Sequence, residues 1–167
     1  RRKQQESELR LWSKAFETSN EAIIITDDEL RIVLVNRTYE NIMGYTQEEV
    51  LGVDTVNIGI QLHSHSFFRN LVSVLKEKGY WQGELINRRK NGERFPTWYS
   101  ISQVLNADGK PENYIAIFSD ISESKKSRER IDFLAHHDSL THLPNRVLLN
   151  DRLERAINTA QRRNEKV

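Results

Sequence analysis

The sequence predicts an α+β domain built on one five-stranded antiparallel sheet, with helices over one face of the sheet. Two short apolar segments come first, a helical stretch follows, and three longer strand-like segments close the pattern. Asn-Gly and Asp-Gly pairs separate the last three segments, and such pairs are typical of antiparallel hairpins. The five predicted strands are residues 22–26, 31–36, 81–89, 94–105 and 113–121.

Composition limits the functions that this chain can have. It has 167 residues, enough for one domain with flanking helices, and 29% of them are charged. The net charge of +1 gives no field that would attract nucleic acid or a membrane surface. No cysteine is present, which excludes disulfides and thiolate chemistry. No apolar run reaches the ~20 residues of a membrane span. We expect a cytoplasmic fragment of a longer protein whose upstream part could be membrane-anchored, since the chain begins without Met.

The segments before the last three strands have recognisable boundaries. Residues 1–19 predict an amphipathic entry helix, because Leu9, Trp12 and Phe16 fall on one face. Its apolar stripe could cover the sheet or pack on a partner helix. The next two strands form a hairpin around an acidic turn. Thr46 and Glu49 have the spacing of a capping box, which predicts a short helix beginning there.

A longer helix is predicted between the two groups of strands. Apolar side chains recur at helical spacing from Phe67 to Leu75, and Gly79 is placed to end the helix. The hairpin between the last two strands holds Ala107 as well as an Asp-Gly pair, so its loop is longer than two residues.

The last strand passes into a helix with no Gly or Pro between them. Asp120 and Ser122 flank Ile121, and the side chain of Asp120 or Ser122 is expected to cap a helix over residues 123–137. A joint of this kind can carry strain from a sheet into an exposed helix. We therefore interpret Asp120, Ile121 and Ser122 as the signal-relay residues of the chain.

Residues 20–122 resemble a PAS sensor domain. The resemblance rests on four motifs that follow the order and spacing of that family, at residues 35–45, 48–52, 81–92 and 118–123. The resemblance implies the PAS fold, a cup between sheet and helices, and a C-terminal signalling helix.

Residues 138–167 are expected to be the truncated start of a second domain. The motif at residues 137–146 resembles the opening of a GGDEF domain, the diguanylate cyclase module, with His142 where Gly is common. The matching positions are Asp138, Leu140, Thr141, Asn145 and Arg146. The catalytic residues of that family would come later, so the resemblance implies no enzyme activity for this fragment. It implies a parent that makes, degrades or binds cyclic di-GMP, with or without an EAL domain.

The cup could hold a ligand, and FAD is one candidate. A photoreactive flavin adduct needs a cysteine, and the sequence has none. Noncovalent FAD stays open, because Asn36, Trp81 and Asn87 resemble positions in FAD-binding members of the family. A redox sensor would follow from that reading.

Haem is one further ligand candidate, and a small organic acid or fatty acid is another. His63 or His65 could be an axial ligand to haem, which would give a gas sensor. Arg88 or Arg89 could pair with an acid inside the cup, although a solvated loop-proximal arginine is favoured. The absence of any tightly held ligand is the leading expectation. No metal site is expected, because no two-His-plus-acid helical spacing occurs.

A homodimer is expected through the entry helix and the linker helix. Ile121, Ser124, Arg128, Ile131 and Ala135 roughly follow coiled-coil spacing. The resemblance implies a parallel coiled coil there, which would bring two cyclase domains together. The leading hypothesis is a sensory module that relays a signal to this output. The alternatives are a ligand-free dimerisation module and, with no support from the residues, an enzyme.

Overall fold

The computed structural model of the chain describes residues 2–58 and 64–163. Backbone contacts divide it into two compact units, residues 1–122 and residues 123–167. The elements of the first unit are α1 (Arg2–Glu17), β1 (Ala22–Asp27), β2 (Ile32–Val35), α2 (Arg37–Met43), α3 (Gln47–Val50), a 3-10 turn (Thr55–Asn57), α4 (His65–Lys78), β3 (Tyr80–Arg88), β4 (Arg94–Leu105) and β5 (Pro111–Asp120). Helix α5 (Ser122–His136) starts at the last residue of this unit, and α6 (Arg146–Arg163) follows in the second.

The five strands form one antiparallel sheet in the order β2-β1-β5-β4-β3. Strand β5 is central, and it pairs Phe118 with Ala22 of β1 on one side and with Tyr99 of β4 on the other. The predicted fold class is therefore confirmed. Since β5 is the strand that leads into α5, the helix leaves from the middle of the sheet.

Local sequence signals set the ends of the helices. Gly44 and Gly79 end α2 and α4 with φ angles of 78° and 79°, a conformation that costs glycine least. The predicted capping box is present at α3, where the Thr46 N–H donates to Glu49 Oε2 at 3.0 Å. Ser64 caps α4 by accepting a hydrogen bond from the Phe67 N–H.

The core lies between the sheet and helices α2 to α4. Alternate residues of the strands face these helices, as the period of two in a strand requires. Each fully buried large apolar side chain contributes about 1.5–3 kcal/mol relative to an exposed one. The main buried cluster is formed by Ala22, Ile24, Ile32, Val35, Tyr39, Met43, Val50, Leu85, Phe95, Tyr99 and Phe118. A smaller cluster of Leu71, Leu75 and Tyr114 lies under α4.

The second unit contains most of α5, a turn and α6. The turn is closed by a single bridge between His137 and Pro144. Asn145 caps α6, because its Oδ1 accepts the Val147 and Leu148 N–H groups at 3.0 and 3.1 Å. Its Nδ2 donates back to the Ala135 carbonyl at 2.8 Å, which ties the turn to the end of α5. No side chain described in residues 123–159 is buried.

Candidate functional site: the sheet-to-helix joint and the cup

Asp120 is both the last residue of β5 and the cap of α5. One carboxylate oxygen, Oδ1, accepts the Ser122 N–H at 2.8 Å, which satisfies a donor in the first turn of the helix. The other oxygen, Oδ2, lies 2.5 Å from Arg89 Nη2. Ile121, between the two, donates its N–H to the Pro96 carbonyl of β4 at 3.1 Å. The three predicted relay residues therefore sit where the sheet and the helix share hydrogen bonds.

Arg89 connects this joint to the rest of the cup. Its Nη1 donates to the Ile42 carbonyl of α2 at 2.6 Å, and its Nε pairs with Glu93 at 3.1 Å. The guanidinium carbon lies 3.8 Å above the ring centroid of Phe95, in cation–π geometry. The Arg89 side chain is only 21% exposed. The expectation of a solvated loop-proximal arginine is wrong here, because the guanidinium is held by Asp120, α2 and the β3–β4 hairpin together.

The surroundings of Asp120 favour its charged form. Burial alone would raise the pKa of this carboxyl, but hydrogen bonds from the Ser122 hydroxyl and N–H, and then from Arg89, outweigh it. The pKa of Asp120 is therefore held below its ordinary value of 3.8. At neutral pH the carboxylate can cap α5 and bind Arg89 at the same time.

The cup is almost completely packed. A cavity of about 70 Å³ remains between the sheet and α4. Pockets that hold drug-sized ligands measure roughly 300–1,000 Å³. The walls of the cavity are apolar apart from threonine and tyrosine hydroxyls, and neither Arg88 nor Arg89 lines it. This geometry gives no support to an organic acid held by an arginine inside the cup.

Asn36 has no hydrogen-bonding capacity left for a ligand edge. It is fully buried and caps α2. Its Oδ1 accepts from the Ile23 and Tyr39 N–H groups at 2.9 and 3.0 Å. Its Nδ2 donates to the Phe16 and Glu21 carbonyls at 3.1 and 2.9 Å. The amide therefore ties α1, β1 and α2 together.

Asn87 is also fully buried, but its pairing is incomplete. Its Nδ2 donates to the Tyr99 hydroxyl at 2.7 Å, while its Oδ1 has no partner among the described residues. The Tyr99 ring stacks on Phe118 with centroids 4.7 Å apart, and so it fills the centre of the cup. Burial raises the pKa of Tyr99, so its hydroxyl stays neutral.

Trp81 lies at the edge of the cup and packs on its neighbours. Its ring meets Phe67 of α4 edge-to-face, with centroids 6.1 Å apart. A Cβ placed on Gly83 would come within 2.9 Å of the Trp81 ring, so the ring lies directly over that glycine. The structure brings Trp81 and Asn87 to the same face of β3, but it does not bring them to a shared open space.

The residues present do not fit a flavin in this conformation of the cup. The cavity is too small, Tyr99 and Phe118 fill the centre, and Asn36 is fully paired. Of the haem candidates, His63 lies outside the described residues, and the His65 side chain does too, although His65 begins α4. Within residues 2–58 and 64–163 no group of His, Asp and Glu side chains has the arrangement of a metal site.

The five residues of the second predicted motif shape the turn between α5 and α6. Asp138 Oδ1 accepts the Leu140 and Thr141 N–H groups at 3.1 and 2.9 Å, and the Thr141 hydroxyl at 3.0 Å. These bonds from Thr141 and Leu140 lower the pKa of Asp138. Asn145 caps α6 and Arg146 is its first residue, whereas the Leu140 side chain is 88% exposed.

The entry helix carries its apolar stripe largely in solvent. Leu9 and Trp12 are each 74% exposed, and they border a shallow groove with Phe16 and Leu34 of β2. Among the described helices none is both long enough and apolar enough to cross a bilayer.

Sequence reasoning missed the part played by Arg89 and by Leu30. Leu30 has a φ of 65° in the β1–β2 turn, and its side chain lines the cavity. Nothing in the sequence marks a leucine for a left-handed conformation. A signal for Arg89 was available, since a cation three residues before Gly92 in the hairpin can reach the acid that ends the central strand.

Comparison with known families gives two matches along the chain. The PAS domain family matches residues 20–123, and the family described as diguanylate cyclase, GGDEF domain, matches residues 135–167. A probable diguanylate cyclase of Escherichia coli, DgcE, is 26% identical over 149 residues, which are 86% of this chain and 13% of that protein. The cyclic di-GMP phosphodiesterase PdeR of the same species is 30% identical over 144 residues, 85% of this chain and 22% of that protein.

Solved structures show the same fold at low sequence identity. A PAS domain from Colwellia psychrerythraea has a TM-score of 0.65 at 22% identity and covers 69% of this chain and 98% of that one. An RNA-binding light-oxygen-voltage receptor has a TM-score of 0.66 at 22% identity and covers 76% of this chain and 37% of that one. The central β5, the packed cup and the family match over residues 20–123 together show that this chain belongs to the PAS domain family, with the start of a GGDEF domain at the end of α5.

Proposed function

We propose that this chain is a sensory and dimerisation module that relays a signal through α5 to a GGDEF output domain controlling cyclic di-GMP. The observation that carries the proposal is the double use of Asp120, which caps α5 and is bound by Arg89. A change in the cup that moves β5 or the β3–β4 hairpin must alter these contacts. The start of α5 is thereby linked to the packing of the cup.

The relatives support the output side of this proposal. DgcE is named as a probable diguanylate cyclase and PdeR as a cyclic di-GMP phosphodiesterase. Helix α5 ends at His136, and the GGDEF match starts at residue 135, so the helix runs directly into the output domain. The order of sensor, helix and output suits a relay along the helix.

Exposed apolar side chains support dimerisation. Trp12 on α1 is 74% exposed and Ile131 on α5 is 69% exposed. Apolar side chains left in solvent on a helix are commonly covered by a partner helix. Joining two GTP molecules into cyclic di-GMP requires two cyclase active sites to face each other, which a dimer held along α5 would allow.

The proposal is tested by insertions in α5 of a protein in which this chain is joined to a complete GGDEF domain. One to seven alanines are inserted between Lys125 and Arg130, and cyclic di-GMP formed from GTP is measured. We expect the output to fall and recover with the ~3.6-residue period of a helix, because each insertion rotates the output domain about the helix axis. The 167-residue chain alone serves as the control and should form no cyclic di-GMP. Output that is unchanged by insertions of every length would contradict the relay.

A further inference from the structure

The cavity under α4 defines a class of ligand for the cup. It lies between Leu71 and Leu75 of α4 and the inner face of the sheet, where Ile24 and Ala116 form its floor. All of the lining side chains that belong to the described residues are uncharged. The Thr26 hydroxyl on its wall already donates to the Asp27 carbonyl at 3.0 Å. An ion would lose its hydration there with no opposite charge on the lining side chains to replace it.

The size of the cavity sets a second limit on the ligand. An apolar cavity of roughly 150 Å³ stays dry and binds benzene or xenon. The cavity here measures about 70 Å³, which is near half of that. It can therefore take a xenon atom or a molecule of a few non-hydrogen atoms, whereas benzene would require the walls to move.

The backbone holds one wall of the cavity in an unfavourable conformation. Leu30 has a φ of 65°, in the left-handed region that is unfavourable for a residue other than glycine. The strain is maintained by backbone hydrogen bonds, from the Leu30 N–H to the Asp27 carbonyl at 3.2 Å and from the Thr55 N–H to the Leu30 carbonyl at 3.1 Å. The arrangement keeps the leucine side chain against Leu71 and Leu75.

We infer that the cup binds a small, uncharged, apolar molecule in this cavity rather than a flavin, a haem or an acid. The inference rests on the proposed sensory function and names the ligand class of that same site. Ala116 and Asp120 lie on the same face of β5, four residues apart, so an occupant touches the strand that ends at the relay joint. An occupant that fits one packing of α4 against β5 better than another would shift the equilibrium between them.

Binding is tested with xenon on the 167-residue chain, followed by methyl chemical shifts in NMR. We expect saturable shifts at the methyl groups of Ile24, Leu71, Leu75 and Ala116. Ala116→Ile should weaken xenon binding by about tenfold or more, because the larger side chain occupies the cavity. A tenfold change corresponds to about 1.4 kcal/mol. Ala156→Ile makes the same substitution at an exposed position of α6 and should leave binding unchanged. Shifts that are absent, that do not saturate, or that survive Ala116→Ile would overturn the inference.

A second variant tests the site without filling it. Leu30→Gly suits the φ of 65° at this position and removes a wall of the cavity, so it should retain the fold and admit benzene. The unchanged chain should exclude benzene at the same concentration. Failure of this variant to bind benzene, in a folded protein, would contradict the assigned cavity.

The outcomes for the ligand and for the relay are separable. In the protein joined to a complete GGDEF domain, benzene should change the cyclic di-GMP output of the Leu30→Gly variant and not that of the Leu30→Gly, Ala116→Ile double variant, in which the isoleucine fills the opened site. Binding without any change of output would leave the ligand class standing and would overturn the coupling of this cavity to the relay joint. An α5 insertion series that is periodic, in a chain with no xenon site, would overturn the ligand class alone.

Discussion

Two buried asparagines differ in how completely they are paired. Asn36 makes four hydrogen bonds to backbone groups and holds three elements together. Asn87 makes one, to Tyr99, and leaves an oxygen without a partner among the described residues. Exchanging the ends of the Asn87 amide would change which atom meets Tyr99 but would still leave one end unpaired. Asn87 therefore fixes the Tyr99 ring in the cup at a cost in stability.

The energy of the hydrogen bond between Asn87 and Tyr99 can be measured with a double-mutant cycle. Tyr99→Phe leaves the whole Asn87 amide buried and unpaired, so we expect a loss of roughly 1–3 kcal/mol in the free energy of unfolding. Asn87→Leu leaves the Tyr99 hydroxyl unpaired and should cost a similar amount. The double variant replaces both groups with apolar ones and should lie close to the unchanged chain. Urea unfolding followed by tryptophan fluorescence measures all three, and additive losses in the double variant would contradict the pairing.

His142 occupies a position that favours glycine. Its φ is 58°, its N–H donates to the Asp138 carbonyl at 2.9 Å, and its ring lies 5.7 Å from that of Phe133. The left-handed region costs a non-glycine residue roughly 1–2 kcal/mol. This strain is a physical reason for glycine to be common at this position in similar sequences.

Replacing His142 separates the strain from the ring contact. His142→Gly removes the backbone strain but also removes the ring contact. The glycine costs roughly 0.5–1 kcal/mol through the entropy of the unfolded chain, so we expect the turn to be more stable by about 0.5 kcal/mol. His142→Ala loses the ring and keeps the strain. Amide exchange of residue 142 should slow by about twofold in the glycine variant and speed up in the alanine variant. Equal exchange rates in the two variants would show that the backbone is unstrained.

At the scale of elements, the joint between β5 and α5 depends on one carboxylate with two partners. A cap contributes typically about 1 kcal/mol to a helix, and an ion pair with Arg89 fixes where that cap sits. Since Arg89 also holds α2 through the Ile42 carbonyl, the start of α5 is linked to both sides of the cup. A change at this joint should therefore affect both the packing of the cup and the start of α5.

Two substitutions at Asp120 distinguish the cap from the ion pair. Asp120→Asn keeps an oxygen for the Ser122 N–H and loses the charge that binds Arg89, whereas Asp120→Ala loses both. We expect amide exchange in the first turn of α5 to rise about 2- to 30-fold in the alanine variant, as the 0.5–2 kcal/mol of a lost cap implies. The asparagine variant should show a smaller rise. Identical exchange in the two variants would show that the ion pair alone orders the helix start.

The pH dependence of this joint follows from the lowered pKa of Asp120. A carboxyl whose pKa is lower in the folded state stabilises the fold above its unfolded pKa, and the stabilisation is lost as pH falls through the folded pKa. The protection of the α5 start should therefore hold at neutral pH and decline below the ordinary value of 3.8. Amide exchange in the first turn of α5, measured at several acidic pH values in the unchanged chain and in the Asp120→Asn variant, tests this pH dependence. A decline already complete well above pH 4 would contradict the assignment.

The elements were predictable from sequence to different degrees. Strand β4 has the predicted bounds, β1 is one residue longer than predicted and β3 is shifted by one residue, because alternating apolar residues and hairpin signals are local. Strand β5 starts two residues early at Pro111, where a strand tolerates proline. The position of Arg89 in the hairpin gave a signal for its contact with Asp120, but the packing of Tyr99 on Phe118 could not be predicted, since it joins residues that are distant in sequence. The cavity depends on the whole core and has no local signal.

At the scale of the molecule, the two units differ in how they are stabilised. Every described buried side chain belongs to residues 1–122, whereas residues 123–159 contribute none. Short chains without a buried core are rarely stable alone, because apolar burial must offset the entropy of ordering the chain. We therefore expect the first unit to provide the measured stability of this chain.

Truncation after α5 tests this division. A chain of residues 1–137 should melt within about 2 °C of the full 167 residues, since the removed segment has no buried side chains. A peptide of residues 123–167 should show little helix by circular dichroism, because isolated helices of this length are marginal in water. A midpoint lowered by roughly 5 °C or more would mean that residues 138–167 stabilise the PAS domain directly. A signal could then reach the output domain without passing along α5, and the insertion series in α5 would lose its period for the same reason.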